Sequence, residues 1–270
     1  MTDPLLELVR AGVQTYDLAR PYEIGMPQSP NHPAYWHTLP RRHGDLVRED
    51  GGSAANDLIV MGTHVGTHMD ALAHVSQDGC LHGELDAATA QIGGRFDVHG
   101  IDRVAPIIGR GVLLDVPRAL GREAFDTAHE ITPDELAATA RAQGTELAPG
   151  DVVLVRSGWG RRWEEGSPYL GKESGTPGPG ASGARWLADH GPRAVGADTI
   201  AFEHLPPGRG HAVLPAHRVL LVEHGINIIE TMALEELARD GVHEFVLVVT
   251  PLAFVGATGS PVRPVAVVPR

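Results

Sequence analysis

Three histidines and an aspartate fall within eleven residues of one segment, His64-Val-Gly-Thr-His68-Met-Asp70-Ala-Leu-Ala-His74. Imidazole nitrogens and a carboxylate oxygen at this spacing suit a divalent cation of intermediate hardness, zinc or manganese. In an extended chain side chains alternate, so His64, His68 and Asp70 would project to one side, with Gly66 between them leaving room for an ion. On a helix Asp70 would turn away from His68 by about 200°, and Gly62, Thr63, Gly66 and Thr67 disfavour that conformation. Beyond this point the texture changes. Asp70 reads as a helix N-cap, and His74, one turn later, returns to the cluster. Two nitrogens and one oxygen leave coordination positions open for water, which a cation makes acidic near neutral pH. His74 then reads as the catalytic proton carrier. A lone histidine beside a strand is ordinarily a hydrogen-bonded structural group. Three of them with an aspartate on compatible faces are not explained in that way.

The elements that must position this cluster are marked unevenly. Short aliphatic runs bounded by Gly, Pro or Asp predict strands at 58–61, 112–116, 152–156, 218–222 and 245–249. Thr132-Pro-Asp-Glu135 supplies an N-cap, a proline at the first helical position and a capping-box acid, predicting a helix through 143. Further helices are predicted at 5–13, 181–190 and 234–239. From 21 to 40 the chain is rich in Pro, His and aromatic residues and reads as an ordered loop, with Trp36 as a pocket contact. Residues 164–180 form the longest irregular stretch, expected as a lid or subunit contact within a single domain spanning 1–270.

Composition narrows the function classes. The chain has 270 residues, 42% hydrophobic and 21% charged, enough to bury a substantial core. Net charge is −12 and Lys172 is the only lysine. A nucleic-acid-binding surface needs a basic stripe, and none is visible, so neither nucleic acid nor an anionic membrane is expected as a partner. No run approaches the roughly 20 apolar residues of a bilayer span, and the acidic N-terminal segment is unlike an export signal, so a cytoplasmic location is expected. Cys80 is alone, which excludes a disulfide framework, and it reads as a packed small residue rather than a nucleophile. No Gly-x-Ser-x-Gly elbow, dinucleotide fingerprint or Walker loop is present. Arg156, at the end of a predicted strand, reads as an ion-pair residue.

The segment from His64 to His74 resembles the His-x-Gly-Thr-His-x-Asp-x-x-x-His signature of the cyclase-like metal hydrolases, which include bacterial kynurenine formamidases and isatin hydrolases. Leu72 stands where many members have proline. The resemblance continues through Tyr16-Asp17-Leu18, Gly25-Met26-Pro27, the stretch from Gly150 to Trp159, Gly196-Ala-Asp198-Thr199, and Gly256-Ala-Thr-Gly259-Ser-Pro-Val. It implies an α/β fold with a mixed, barrel-like sheet flanked by helices, of the swivelling β/β/α type. It implies one or two Zn2+ or Mn2+ ions held by His64, His68 and Asp70, with His217 and Glu230 as downstream partners and His74 assisting catalysis. Met26 lies in a loop that overhangs the pocket in such proteins and, with Trp36, is expected at the substrate. His217 is expected before a strand and Glu230 after it. Thr231 occupies a position where asparagine is common, and His211, His204 and Glu203 are fallback ligands that otherwise read as surface polar residues. The implied chemistry is hydrolysis of a C–N or C–O acyl bond in a small cyclic or aryl amide, imide or lactone, in a homodimer or homotetramer. Two other outcomes are a ring-closing cyclase and a metal-binding protein without turnover.

Overall fold

The computed structural model describes residues 4–270 and is built around a nine-stranded mixed sheet. Four parallel strands run through its middle in the order Ile107–Asp115, Val152–Arg156, Ala194–Ala197 and Asn227–Glu230. Antiparallel strands extend it on both sides. Glu244–Val249, Val265–Pro269 and Val13–Asp17 lie beyond Ile107–Asp115. His68–Asp70 and Gly259–Pro261 lie beyond Asn227–Glu230.

Strand alternation divides the core in two. Val112, Leu114, Val153, Val155, Val195 and Ile228 face helices Pro133–Gln143 and Ala181–Asp189 and the turn that starts at Pro215. Leu113, Val152, Leu154, Ala194 and Ile229 face the other way. There they join Tyr16, Met69, Phe245, Leu247 and Ala266 from the outer strands. Strands distant in sheet order share this cluster because the sheet curls into a half-barrel. The fold is α/β as expected.

The strongest local signals are the best matched. Thr132 accepts a hydrogen bond from the Glu135 backbone while the Glu135 side chain reaches back, and Gly144 closes the helix in a left-handed conformation. Strand Val152–Arg156 has the predicted limits. The strand expected at 218–222 is corrected to helix: Arg218–Glu223 is a π-helical turn continuing Pro215–His217. Its Val219, Leu220 and Leu221 are buried against Ala184 and Leu187. A short, fully apolar run looks alike in a buried strand and a buried helix, and Pro215 at the first helical position was the discriminating sign. Cys80 is exposed rather than packed. Residues 164–180 include the end of one 3-10 turn, a second over Ser167–Leu170, and Gly178–Pro179 pairing to Glu130–Ile131. Among the described residues no helix is long and apolar enough to cross a membrane.

Two polar clamps tie the carboxyl ends of the parallel strands together. Asp198 accepts from the Ser157 backbone and hydroxyl at 2.9 and 2.7 Å and from the Gly158 backbone at 2.8 Å. Arg156 is an ion-pair residue, as its position predicted: it meets Asp115 at 2.7 Å and Glu235 at 2.7 Å. Its side chain and that of Asp115 are only 7% and 2% exposed, so removing the guanidinium strands a carboxylate in the core. Arg156→Met is expected to cost about 3–5 kcal/mol, read as a lower midpoint in urea unfolding.

A separate hairpin, Trp36–Arg41 paired with Asn56–Val60, lies outside the main sheet. All five residues of Asn56–Val60 are exposed, including Leu58, Ile59 and Val60.

Candidate metal centre

His68 and Asp70 occupy a strand of only three residues, His68–Asp70, held between two neighbours. Glu230 pairs directly with His68 across the ladder, so the two side chains share a face. His217 comes from the other side, on the helical turn under the sheet's carboxyl edge. The expectation of an extended chain throughout 64–70 is corrected. Residues 63–67 form turns, and Gly66 has φ +62°. A Cβ on Gly66 would lie 2.7 Å from the Tyr22 ring, so the missing side chain accommodates Tyr22 rather than an ion. The Tyr22 hydroxyl donates to the Thr67 carbonyl at 2.6 Å and braces the turn. The helix expected to begin at Asp70 is also corrected, to a tight turn in which the His74 N–H donates to the Ala71 carbonyl at 2.9 Å.

The hydrogen bonds assign the ring nitrogens. His68 Nδ1 donates to the Gly66 carbonyl at 2.9 Å, which leaves Nε2 as the nitrogen directed into the cluster. His217 Nδ1 donates to Glu203 Oε1 at 2.7 Å, and its Nε2 is directed into the cluster in the same way. Both Nε2 atoms point at carboxylates. His68 Nε2 is 3.4 Å from Asp70 Oδ1 and from Glu230 Oε2. His217 Nε2 is 3.0 Å from Glu230 Oε1 and 3.6 Å from Asp70 Oδ2. Close as they are, Glu230 Oε1 and Asp70 Oδ2 are buried without an aligned hydrogen bond. Two carboxylates buried this close together are expensive unless protons or a cation lie between them and the imidazoles. The donor set therefore fits a divalent metal, with ligand atoms of His68, Asp70 and Glu230 within 4.8 Å of one another.

His64 is arranged differently. Its Nδ1 is 2.6 Å from Asp70 Oδ1 and its Nε2 is 2.8 Å from the Thr258 hydroxyl. His74 stacks on it with ring centroids 3.8 Å apart and planes at 22°. His64, Asp70 and His74 form a second group able to hold an ion, sharing Asp70 with the first.

Burial and charge separate the protonation states. Burial would lower His68, but the adjacent Asp70 and Glu230 raise it to about 10. Burial likewise opposes His217, which Glu203 and Glu230 hold well above the usual histidine range. Burial and the neighbouring Asp70 would raise Glu230, yet His217 and His68 bring it down to about 2. Burial pushes Asp70 up, and the surrounding histidines overcome this and hold it well below the carboxylate range. His74 is pushed down to about 3, chiefly by burial and also by His64 and His217. At neutral pH it is an uncharged imidazole.

Other expected site residues fall elsewhere. Met26 is 5% exposed and packs in a core cluster with Val65, Trp159 and Trp163. Trp36 lies on the outer hairpin, 47% exposed. His204 and His211 are partly buried but contribute to neither ligand group. Glu203 is not a surface residue: it is fully buried and bonded to His217. His32 carries no local motif, yet its ring lies 5.2 Å from that of His64 and 6.4 Å from that of His74. Thr231 has φ +58°, a conformation that asparagine adopts more readily than a β-branched residue.

Comparison with known proteins agrees with this geometry. The profile of the family described as "Putative cyclase" matches residues 16–204. Kynurenine formamidase of Bacillus cereus is 28% identical over 222 residues, covering 81% of this chain and 82% of that protein. Isatin hydrolase of Roseibium aggregatum is 26% identical over 225 residues, covering 82% and 78%. A crystal structure described as a novel cyclase superposes with a TM-score of 0.83 at 30% identity, covering 98% of this chain and 93% of the other.

Proposed function

This chain belongs to the cyclase family, and from that membership and the geometry of its metal centre we propose that it is a metal-dependent hydrolase. Its substrate would be a small cyclic or aryl amide, imide or lactone, cleaved at a C–N or C–O acyl bond. The observation that carries the reading is the convergence of the His68 and His217 Nε2 atoms on two buried carboxylates, two of whose oxygens lack an aligned hydrogen bond, with the His74 ring 6.3 Å from that of His217. The names of its relatives, kynurenine formamidase and isatin hydrolase, support the same reaction class.

His68, Asp70, His217 and Glu230 would hold the cation, and zinc and manganese both suit mixed nitrogen and oxygen donors. Once bound, the cation supplies Lewis acidity that polarises an acyl carbonyl and makes water acidic. His74 takes the proton from the attacking water and returns it to the leaving nitrogen or oxygen. Its stack on His64 fixes the plane of the ring. Asp70 and Thr258 fix His64 in turn. Beside the turn that carries His64, a cavity of about 540 Å³ is lined by Tyr22, Tyr35, Met61, Leu252 and Phe254. Those rings suit an aryl group. The test is metal analysis of the purified protein together with assays on N-formylkynurenine, isatin, a cyclic imide and a dienelactone. Chelation is expected to abolish hydrolysis of at least one of them, and added zinc or manganese to restore it. Full activity after exhaustive chelation would defeat the reading.

Homo-oligomerisation is part of the proposal. A two-stranded hairpin with Trp36, Leu39, Leu58, Ile59 and Val60 all in solvent is not stable alone, and a second copy is the partner we assign to it. Light scattering is expected to show a dimer or tetramer, and Ile59→Asp to shift it toward monomer. A wild-type monomer at micromolar concentration would overturn this. The lone cysteine, incompatible with a disulfide framework, supports cytoplasmic residence.

A further inference from the structure

Glu203 has no place in the ligand set, yet it is the most completely engaged carboxylate near it. It is fully buried. Its Oε1 accepts from the His217 backbone N–H at 2.9 Å and from His217 Nδ1 at 2.7 Å, and its Oε2 accepts from the Ala216 N–H at 3.0 Å. One side chain thus fixes both the backbone and the ring of His217. With Nδ1 carrying the proton toward Glu203, Nε2 is left to face Glu230 Oε1 and Asp70 Oδ2.

The backbone is distorted to place it. Phe202, immediately before Glu203, is a non-glycine residue with φ +57°, and its side chain is fully buried. Such a conformation persists only where the surroundings impose it. Here the Glu203 segment runs so close to Gly178 that a Cβ there would be 2.5 Å from the Glu203 carbonyl carbon. Flanking hydrogen bonds pin the same loop, from the His204 N–H to the Pro179 carbonyl at 3.2 Å and from the Leu205 N–H to the Thr176 carbonyl at 3.1 Å. Thr231, adjacent to Glu230, is the other strained residue at the site, with φ +58°. The two carboxylates that touch His217 from opposite sides are each aimed by a left-handed neighbour.

We propose that Glu203 is a positioning residue of the metal centre: through His217 it selects the ligating nitrogen, fixes the ring's direction and sets how tightly the cation is held. A carboxylate behind a metal-bound imidazole also makes that imidazole a stronger donor. This inference rests on the metal-hydrolase reading above.

The test uses the full chain and Zn2+, titrated in competition with a chromogenic chelator. Glu203→Gln keeps the size but loses the charge and turns an NH2 group toward a backbone N–H. Its zinc dissociation constant is expected to rise by about 10–100-fold, while the metal-free variant melts close to the metal-free wild type. An affinity within twofold of wild type would overturn the proposal. Failure of the wild type itself to bind zinc would instead bring down the metal-centre reading, and this inference with it. Should the variant not fold, the wild-type zinc enzyme decides alone. Its nitrogen-15 spectrum is expected to show His217 protonated at Nδ1, in a resonance protected from solvent exchange, and a proton on Nε2 instead would refute the assignment.

Discussion

Replacing His74 with alanine is expected to leave metal content unchanged and to lower kcat by about 10²–10⁴-fold, the usual worth of a positioned general acid–base. The reason is a division of labour within the cluster. In the proposed centre His68, Asp70, His217 and Glu230 would supply a mixed donor set without His74. His74, held near a pKa of about 3 mainly by burial, stays an uncharged imidazole throughout the physiological range. Elemental analysis and turnover on the same preparation check the result. A near-native rate would remove the proton-transfer role, and loss of metal would reassign His74 as a ligand.

Asp70→Asn is expected to have the wider effect, abolishing both metal retention and activity. Asp70 has no solvent exposure and belongs to both ligand groups. Its Oδ1 lies 2.6 Å from His64 and 3.4 Å from His68, and its Oδ2 lies 3.6 Å from His217. Asparagine has nearly the same shape, and the backbone carbonyl can keep its 2.8 Å bond from Asn227 Nδ2. What disappears is the charge that draws a cation among these histidines. Loss of an outer partner alone costs metal affinity about 10–100-fold, and loss of a shared ligand should exceed this. Thermal melts give a second readout. Metal at a hundred times its dissociation constant stabilises a wild-type site by about 2.7 kcal/mol, and the variant should show no such increment. A variant that still melts higher with added metal would show that Asp70 is not the shared ligand.

The parts of the site that were legible in the sequence are those carried by residue type and close spacing. His64, His68, Asp70 and His74 were named from a single segment, although the backbone that unites them is a braced turn plus three residues of strand rather than one extended run. Gly66 illustrates why: the sequence marks a position without a side chain, but only the fold shows that Tyr22 takes the space. The capped helix Pro133–Gln143 was readable because its signals are local. Strands Ala194–Ala197 and Asn227–Glu230 were not, since four residues give too little periodicity and their partners lie far away in the chain. Glu203 was read as a surface residue because its surroundings are rich in Pro and Gly, and nothing nearby in sequence announces His217 as its partner. His32 is in the same position, brought to His64 by the fold alone.

The strand bearing His68 and Asp70 is flanked by Asn227–Glu230 on one side and Gly259–Pro261 on the other. During synthesis, the segment His64–His74 therefore emerges long before the strands that will shape it. Until about residue 261 has left the ribosome, the three histidines and the aspartate of this segment lack the strands that complete their surroundings. A cation held by the proposed centre is accordingly expected to be acquired late, after translation of the last of these strands, since any metal captured earlier would be bound by a loose peptide.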